Sequence, residues 1–203
     1  KTLIFDLGGV IVELDFSVFF KKVIEISPLH KPHSSLLLEF WRQSDMYHQG
    51  KMTNEDFYHQ ACELLQICFT DQKEFFEAFN SVISHINEDI LQILKRIKNT
   101  GKYTLILISN INESHWEYGK IRGWNFEELF DELILSYKVK ITKPDPKIYQ
   151  LALEKAHCSP EECVFIDDGL NNVRGAQELG INAIHFKSVE DLIEEFRALG
   201  IEL

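Results

Sequence analysis

The chain has 203 residues, longer than a typical single domain of about 150 and short for two, so a core with an insertion is the expected organisation. Apolar residues make up 45% of it and 15 are Phe, which is ample for a sizeable core. The formal net charge of −11, with no Lys/Arg-rich stretch, argues against nucleic acid as a partner, because polyphosphate is held by basic surface.

No run approaches the roughly 20 apolar residues of a membrane helix. Asp6 and the glycines interrupt the only N-terminal stretch in which a signal could be sought. Cys62, Cys68, Cys158 and Cys163 show no CxxC spacing and read as reduced thiols of a cytoplasmic protein, with no zinc site implied.

The first stretch, Leu3 to Val12, is an apolar run that ends in Asp6, turns at Gly8-Gly9 and resumes as apolar. It predicts a buried parallel strand that delivers Asp6 to its carboxyl end, where ligands bind in open α/β sheets. From Phe16 to Ile26 the apolar residues have helical spacing, and Pro28 and Pro32 follow as breakers. Ser34 or Ser35 caps a second helix that runs out before Gly50. Thr53 and Thr70 cap two more, so 16–86 is expected to be all helical.

From Asn87 the pattern alternates. Helices are expected around Ile90–Ile97, Phe126–Phe130, Ile148–Ala156, Val173–Leu179 and Val189–Leu199. Strands are expected at Tyr103–Ile108, Leu133–Leu135, Cys163–Ile166 and Ala183–Phe186. The fold class is therefore α/β: a doubly wound, Rossmann-like parallel sheet formed by 1–15 and 87–203, interrupted by an all-helical cap of 16–86.

Four polar groups fall just after strands that such a sheet is expected to bring together: Asp6, Ser109 with Asn110, Lys143, and Asp167 with Asp168. Each alone reads more simply as a turn residue, a loop lysine or a helix cap, with Asn171 or Asn172 able to cap the helix after Gly169. Their order and placement give them weight together. A carboxylate is a nucleophile without an activating base. Its attack on a phosphate ester calls for a divalent cation and a lysine to offset the meeting of two anions.

Phe5-Asp6-Leu7-Gly8, Ser109-Asn110, the Lys143-Pro144…Ile148-Tyr149 segment and Phe165-Ile166-Asp167-Asp168 resemble, in sequence order, the four motifs of the haloacid dehalogenase-like superfamily. The match is closest to its α-D-glucose-1-phosphate phosphatase branch. That resemblance covers the whole chain, because a small helical cap after the first motif belongs to the pattern. It implies a phosphomonoesterase acting on a small phosphate ester, a sugar phosphate by preference, through an aspartyl-phosphate at Asp6. Lys143 would share in catalysis and, with Ser109 and Asn110, hold the phosphate. Mg²⁺ would be bound by Asp6, the Gly8 carbonyl and Asp168, with Asp167 in contact with a metal water or Lys143. Cap residues Trp41, Tyr47, His48 and Gln49 are the candidates to meet the sugar.

One position departs from the superfamily pattern. Gly8 stands where an Asp usually protonates the leaving alcohol, a feature shared with the branch resembled, and its absence favours substrates with good leaving groups such as a sugar 1-phosphate. The competing readings are a 2-haloacid dehalogenase using the same nucleophile, and a binding module on the same fold with weakened catalysis. Oligomeric state is not set by the sequence.

Overall fold

Leu3 and Phe5 of β1 (Thr2–Phe5) face one side of a parallel sheet and Ile4 the other, and all three are fully buried. A strand covered on both faces can be apolar throughout, which is why β1 lacks the alternation of a half-exposed strand. In the computed structural model, which describes residues 1–26, 34–67 and 71–203 with the side chains of 34–37 excepted, β1 is the centre of five strands. The order is β5-β4-β1-β6-β7, with β4 at Thr104–Ser109, β5 at Glu132–Leu135, β6 at Cys163–Asp167 and β7 at Asn182–His185. All pairs are parallel, and Phe5 is in register with Leu107 on one side and Ile166 on the other. Strand order reverses at β1, so the carboxyl ends of β1, β4 and β6 open onto one crevice.

Helices cover both faces. On the Leu3/Phe5 face lie α5 (Glu88–Thr100), α6 (Glu113–Ile121), α7 (Phe126–Leu129) and α11 (Val189–Ala198). On the Ile4 face lie α9 (Pro146–Ala156) and α10 (Leu170–Gln177). The end signals work as the sequence implies: Asn87 caps α5, Gly101 closes it at φ 63°, and Asp145 caps α9 with Pro146 in its first turn. A single turn, α8 (Ser136–Val139), follows β5 directly.

The inserted stretch contains α1 (Phe16–Ile26), α2 (Ser34–His48), α3 (Asn54–Leu65) and α4 (Gln72–Asn80). These helices close over a core of their own, dominated by Phe19, Phe40, Tyr47, Phe57, Phe75 and Phe79. Thr53 caps α3 as expected. The helix expected to start at Thr70 is capped by Asp71, and Pro28, Pro32 and Thr70 lie outside the described residues.

Two expectations are corrected, and helix α6 is an element that the sequence pattern does not announce. The stretch 16–86 is not wholly helical, because Ile83–Ile86 forms β3, antiparallel to β2 (Val12–Leu14). This ribbon takes the chain out to the inserted helices and back. Helix α6 has no clear apolar stripe in the sequence, since its buried face consists of His115, Trp116 and Gly119 while Ile121 is exposed. Gly119 is there because the Trp124 ring lies over it, 2.0 Å from where a β-carbon would stand. Finally, α10 is capped by Gly169 with no side-chain bond, leaving Asn172 for another task. Among the described residues no helix is long and apolar enough to cross a membrane.

Candidate active site

Asp6 sits one residue beyond β1, its N–H still donating to Ile166 O at 2.9 Å, so the sheet itself fixes its backbone. Its Oδ1 accepts from Leu7 N at 2.6 Å and from Lys143 Nζ at 2.7 Å. Lys143 Nζ also donates to Asp167 Oδ2 at 2.6 Å and to Ile108 O at 3.3 Å, with almost none of its side chain exposed. Burial opposes the Lys143 charge, but Asp6 and Asp167 outweigh it and its pKa is raised. On Asp6 burial and the ion pair act in opposition: burial raises its carboxyl, Lys143 pulls it down, and Asp167 adds to the rise.

The remaining motif residues converge on the same point. Asn110 is a clamp on Lys143: its Nδ2 donates to Lys143 O at 2.9 Å and its Oδ1 accepts from Lys143 N at 2.8 Å. The side-chain amide expected on a phosphate is thus engaged in positioning the lysine. Asp167, fully buried, accepts from Gly169 N at 2.7 Å and Asn172 Nδ2 at 2.9 Å with one oxygen and from Lys143 with the other. Tyr149 Oη donates to Asn172 O at 2.9 Å and braces that loop. Asp168 is exposed to the crevice, and burial and Asp167 raise its pKa. Ser109, at the end of β4, lines the same cavity.

The two glycines of the first motif differ. Gly9 has φ 77°, and a β-carbon there would lie 2.3 Å from Asp168 Oδ2, so the Asp168 carboxylate rests against bare backbone. At Gly8 the nearest obstacle to a β-carbon is the tip of Leu14, 3.1 Å away.

Asp6, Asp167 and Asp168 each offer an oxygen, all within 4.8 Å of one another. Three carboxylates face one ammonium group, and the donors are hard oxygens, the set that suits Mg²⁺. The residues present therefore fit a divalent cation. Both Asp167 oxygens already hold protein donors, whereas Asp168 is the carboxylate open to the crevice.

Above the carboxylates lies a cavity of about 600 Å³, walled by the ribbon, by α1 and α2, and by the start of α6. Of the four cap residues expected to meet substrate, Trp41 and His48 line it. Tyr47 is 2% exposed, stacks on Phe57 at 4.2 Å and donates to Asn54 Oδ1 within the cap, with Ser114 of α6 also beside its hydroxyl. Gln49 donates to Asp45 Oδ2 at 2.7 Å.

His48 belongs to a network that joins the inserted helices to the sheet domain. Asn112 Oδ1 accepts from His115 N at 2.8 Å, which leaves Asn112 Nδ2 as donor to His48 Nε2 at 3.2 Å and to His115 Nδ1 at 3.1 Å. Both rings are then neutral. His48 Nδ1 donates to Ser44 O at 2.8 Å and His115 Nε2 to Phe79 O at 3.2 Å. Burial lowers both pKa values, that of His115 to about 3. Ser136 Oγ adds a bond to His48 O at 2.7 Å. Asn112, His115 and Ser136 were missed in the sequence; the Asn-Glu pair at 112–113 is a helix-start signal, but nothing local reports a partner 64 residues away.

A family model for haloacid dehalogenase-like hydrolases matches residues 1–180. A D-ribitol-5-phosphate phosphatase of Bacteroides thetaiotaomicron is 27% identical over 98% of this chain and 98% of its own length. A (S)-2-haloacid dehalogenase of a Pseudomonas species is 26% identical over 93% of this chain and 85% of its own. Among solved structures, a HAD family enzyme of Bacteroides thetaiotaomicron, in complex with magnesium and inorganic phosphate, superposes with a TM-score of 0.80. It is 31% identical and covers 97% of this chain and 99% of its own.

Proposed function

The chain belongs to the haloacid dehalogenase-like hydrolases, and from that premise we propose that it is a Mg²⁺-dependent phosphomonoesterase acting on a small phosphorylated metabolite. The observation that carries the reading is the cluster of Asp6, Lys143, Asp167 and Asp168 at the carboxyl ends of the central strands. The similarity to a sugar-alcohol phosphatase and to a structure holding magnesium and phosphate supports it.

In this mechanism one oxygen of Asp6 attacks phosphorus, and the bond between phosphorus and the ester oxygen breaks. The leaving alkoxide takes a proton from water, because Gly8 offers no acid. A water molecule then attacks phosphorus and gives a proton to the hydroxide left by the first step, while the bond between phosphorus and the Asp6 oxygen breaks, releasing inorganic phosphate and restoring the Asp6 carboxylate. Lys143 holds the nucleophile's charge and orientation, and Asn110 and Asp167 hold Lys143. Ser109 lies at the strand end where phosphate oxygens gain charge. Asp6, the Gly8 carbonyl and Asp168 would hold Mg²⁺, with Asp167 braced behind them. The ion supplies neutralisation of like charges and polarisation of the phosphoryl oxygens. The division into a core of 1–15 and 87–203 and a cap of 16–86, with β3 as the return of the ribbon, is part of the proposal: the cap excludes water and selects the leaving group.

The test is release of phosphate from 4-nitrophenyl phosphate with Mg²⁺ and with EDTA. Turnover abolished by EDTA and restored by Mg²⁺ is expected. Halide release from a 2-haloacid without metal, and no phosphatase activity, would overturn the proposal in favour of a dehalogenase.

A further inference from the structure

The catalytic end of the cavity is polar, but the wall facing it is not. Leu14 and Ile83 of the ribbon, Phe16 and Phe20 of α1, Trp41 of α2 and Val82 between α4 and β3 bring hydrocarbon and ring surface to the space above Asp6. Trp124 continues it on the core side. Besides the indole N–H groups of Trp41 and Trp124, the polar atoms of this wall are the ring nitrogens of His48 and His115, all four of them bonded within the protein. Among the described residues, then, no side chain on this wall carries a hydroxyl, amide or carboxylate toward the cavity. The cap's own polar candidates, Tyr47 and Gln49, bond elsewhere.

A polyol or sugar needs partners for each hydroxyl it buries. A hydroxyl desolvated without one costs roughly tenfold or more in affinity. An apolar alcohol meets this wall with no such loss and gains about fourfold for each methylene removed from water. The cavity's size lies inside the roughly 300–1,000 Å³ that holds a drug-sized ligand, so phosphate does not fill it.

Resting on the phosphomonoesterase reading, we infer that the substrate is a phosphate monoester of an apolar alcohol, hydrocarbon or aromatic in its leaving group, and that Leu14, Phe16, Phe20 and Trp41 select it. This departs from the sugar phosphate expected from the sequence and from the sugar-alcohol phosphate of the relative from Bacteroides thetaiotaomicron. The phosphate end is common to all these esters; the difference lies in what the ribbon and α1 touch.

The experiment measures kcat/KM with Mg²⁺ for ethyl, butyl and hexyl phosphate and for ribitol 5-phosphate, all esters of primary alcohols, so that leaving-group chemistry is nearly matched. Hexyl phosphate is expected to exceed both ethyl phosphate and ribitol 5-phosphate by at least tenfold. The same series is run on Leu14→Gln and Phe16→Gln, two partly exposed positions, and each should shrink the hexyl-to-ethyl ratio several-fold. A flat alkyl series, a ratio untouched by both variants, or ribitol 5-phosphate above hexyl phosphate would overturn the inference while leaving a phosphatase in place. Failure to hydrolyse any of these esters or 4-nitrophenyl phosphate would overturn the underlying reading with it.

Discussion

The sheet and the inserted helices solve different problems with different residues. The sheet packs β-branched and aliphatic strands so that one polar side chain after each strand end is fixed by backbone geometry: Asp6 after β1, Ser109 ending β4, Asp167 ending β6. The inserted helices pack Phe on Phe, with ring pairs such as Phe57–Phe79 at 5.1 Å and Phe75–Phe79 at 5.8 Å, and contribute rings rather than charges to the cavity. On the function proposed above, chemistry is assigned to the part whose geometry is least able to drift, and selection to a part joined to it by a two-strand ribbon and a few hydrogen bonds.

That contrast is broken most severely at the nucleophile. Asp6→Asn keeps the shape and the acceptor for Leu7 N, but an amide is a poor nucleophile, so kcat should fall by about 10⁴-fold or more. Circular dichroism should show the fold retained. Substantial turnover in the purified variant would mean that the sheet end does not hold the nucleophile assigned to it.

The acidic pair separates next. Asp168→Asn should raise the Mg²⁺ concentration for half-activation by at least roughly tenfold, with partial recovery at high Mg²⁺. Gly9→Ala should act through the same carboxylate, pushing Asp168 aside and lowering kcat/KM by about 10²-fold. Asp167→Asn leaves a buried lysine with one anion fewer, so it should cost about 3 kcal/mol of stability and lower kcat that added Mg²⁺ does not restore. Titrating activity against Mg²⁺ for the three variants checks this, and exchanged phenotypes for the two aspartates would reverse their roles.

Within the cap, Tyr47→Ala should cost about 3–5 kcal/mol in urea unfolding, as deletion of a buried aromatic does, while leaving the order of substrates unchanged. A changed order would mean that the cap's interior, and not its cavity face, sets specificity.

The histidine network gives a smaller, pH-dependent effect. The folded chain holds His115 neutral down to about pH 3, whereas the unfolded chain takes up a proton near 6.5. Stability is therefore full above pH 6.5 and declines as pH falls from there toward 3, by up to about 1.4 kcal/mol per pH unit for this ring. His48, lowered in the same direction, adds to it. His115→Gln keeps an acceptor for Asn112 and a donor for Phe79 O, and should lose less stability between pH 7 and pH 5 than the parent chain. An equal loss in both would place the acid sensitivity elsewhere.

The same contrast explains what the sequence disclosed. Asp6, Lys143 and the 167–168 pair were legible as a group, because their order along the chain and their offsets from apolar strands or a capped helix match a known set of motifs, whereas each alone reads as a turn, loop or cap residue. Gly9 was legible as a turn but not as the bed of Asp168, because that contact joins residues far apart in sequence. Tyr47 and Gln49 look like ligand-binding groups by composition, yet which face of α2 meets the cavity is decided by packing against α3 and α8, and Gln49 lies just past the end of α2. β3 was hidden because Ile83-Ser84-His85-Ile86 is too short to show a period and pairs with residues near the N-terminus.

The smallest effect is expected at Gly8, and it separates a backbone requirement from a chemical absence. Gly8, unlike Gly9, has no positive φ, so alanine there adopts the existing backbone without strain. The added β-carbon meets Leu14 Cδ1 at 3.1 Å, and Leu14 is 38% exposed, so its tip can shift by a few tenths of an ångström. Alanine also restricts the unfolded chain, which offsets the crowding by roughly 0.4–1 kcal/mol. Gly8→Ala should accordingly keep stability within about 0.5 kcal/mol and kcat/KM within about threefold, as its carbonyl keeps its direction. Urea unfolding and hydrolysis of 4-nitrophenyl phosphate measure both. If Gly8→Ala instead lost activity as Gly9→Ala does, glycine at position 8 would be needed by the backbone of the turn. If it is tolerated, glycine there means only that the site lacks a carboxylic acid, and Gly8→Asp becomes a fair test of whether supplying one speeds the departure of poor leaving groups by some part of the 10²–10⁴-fold typical of a general acid.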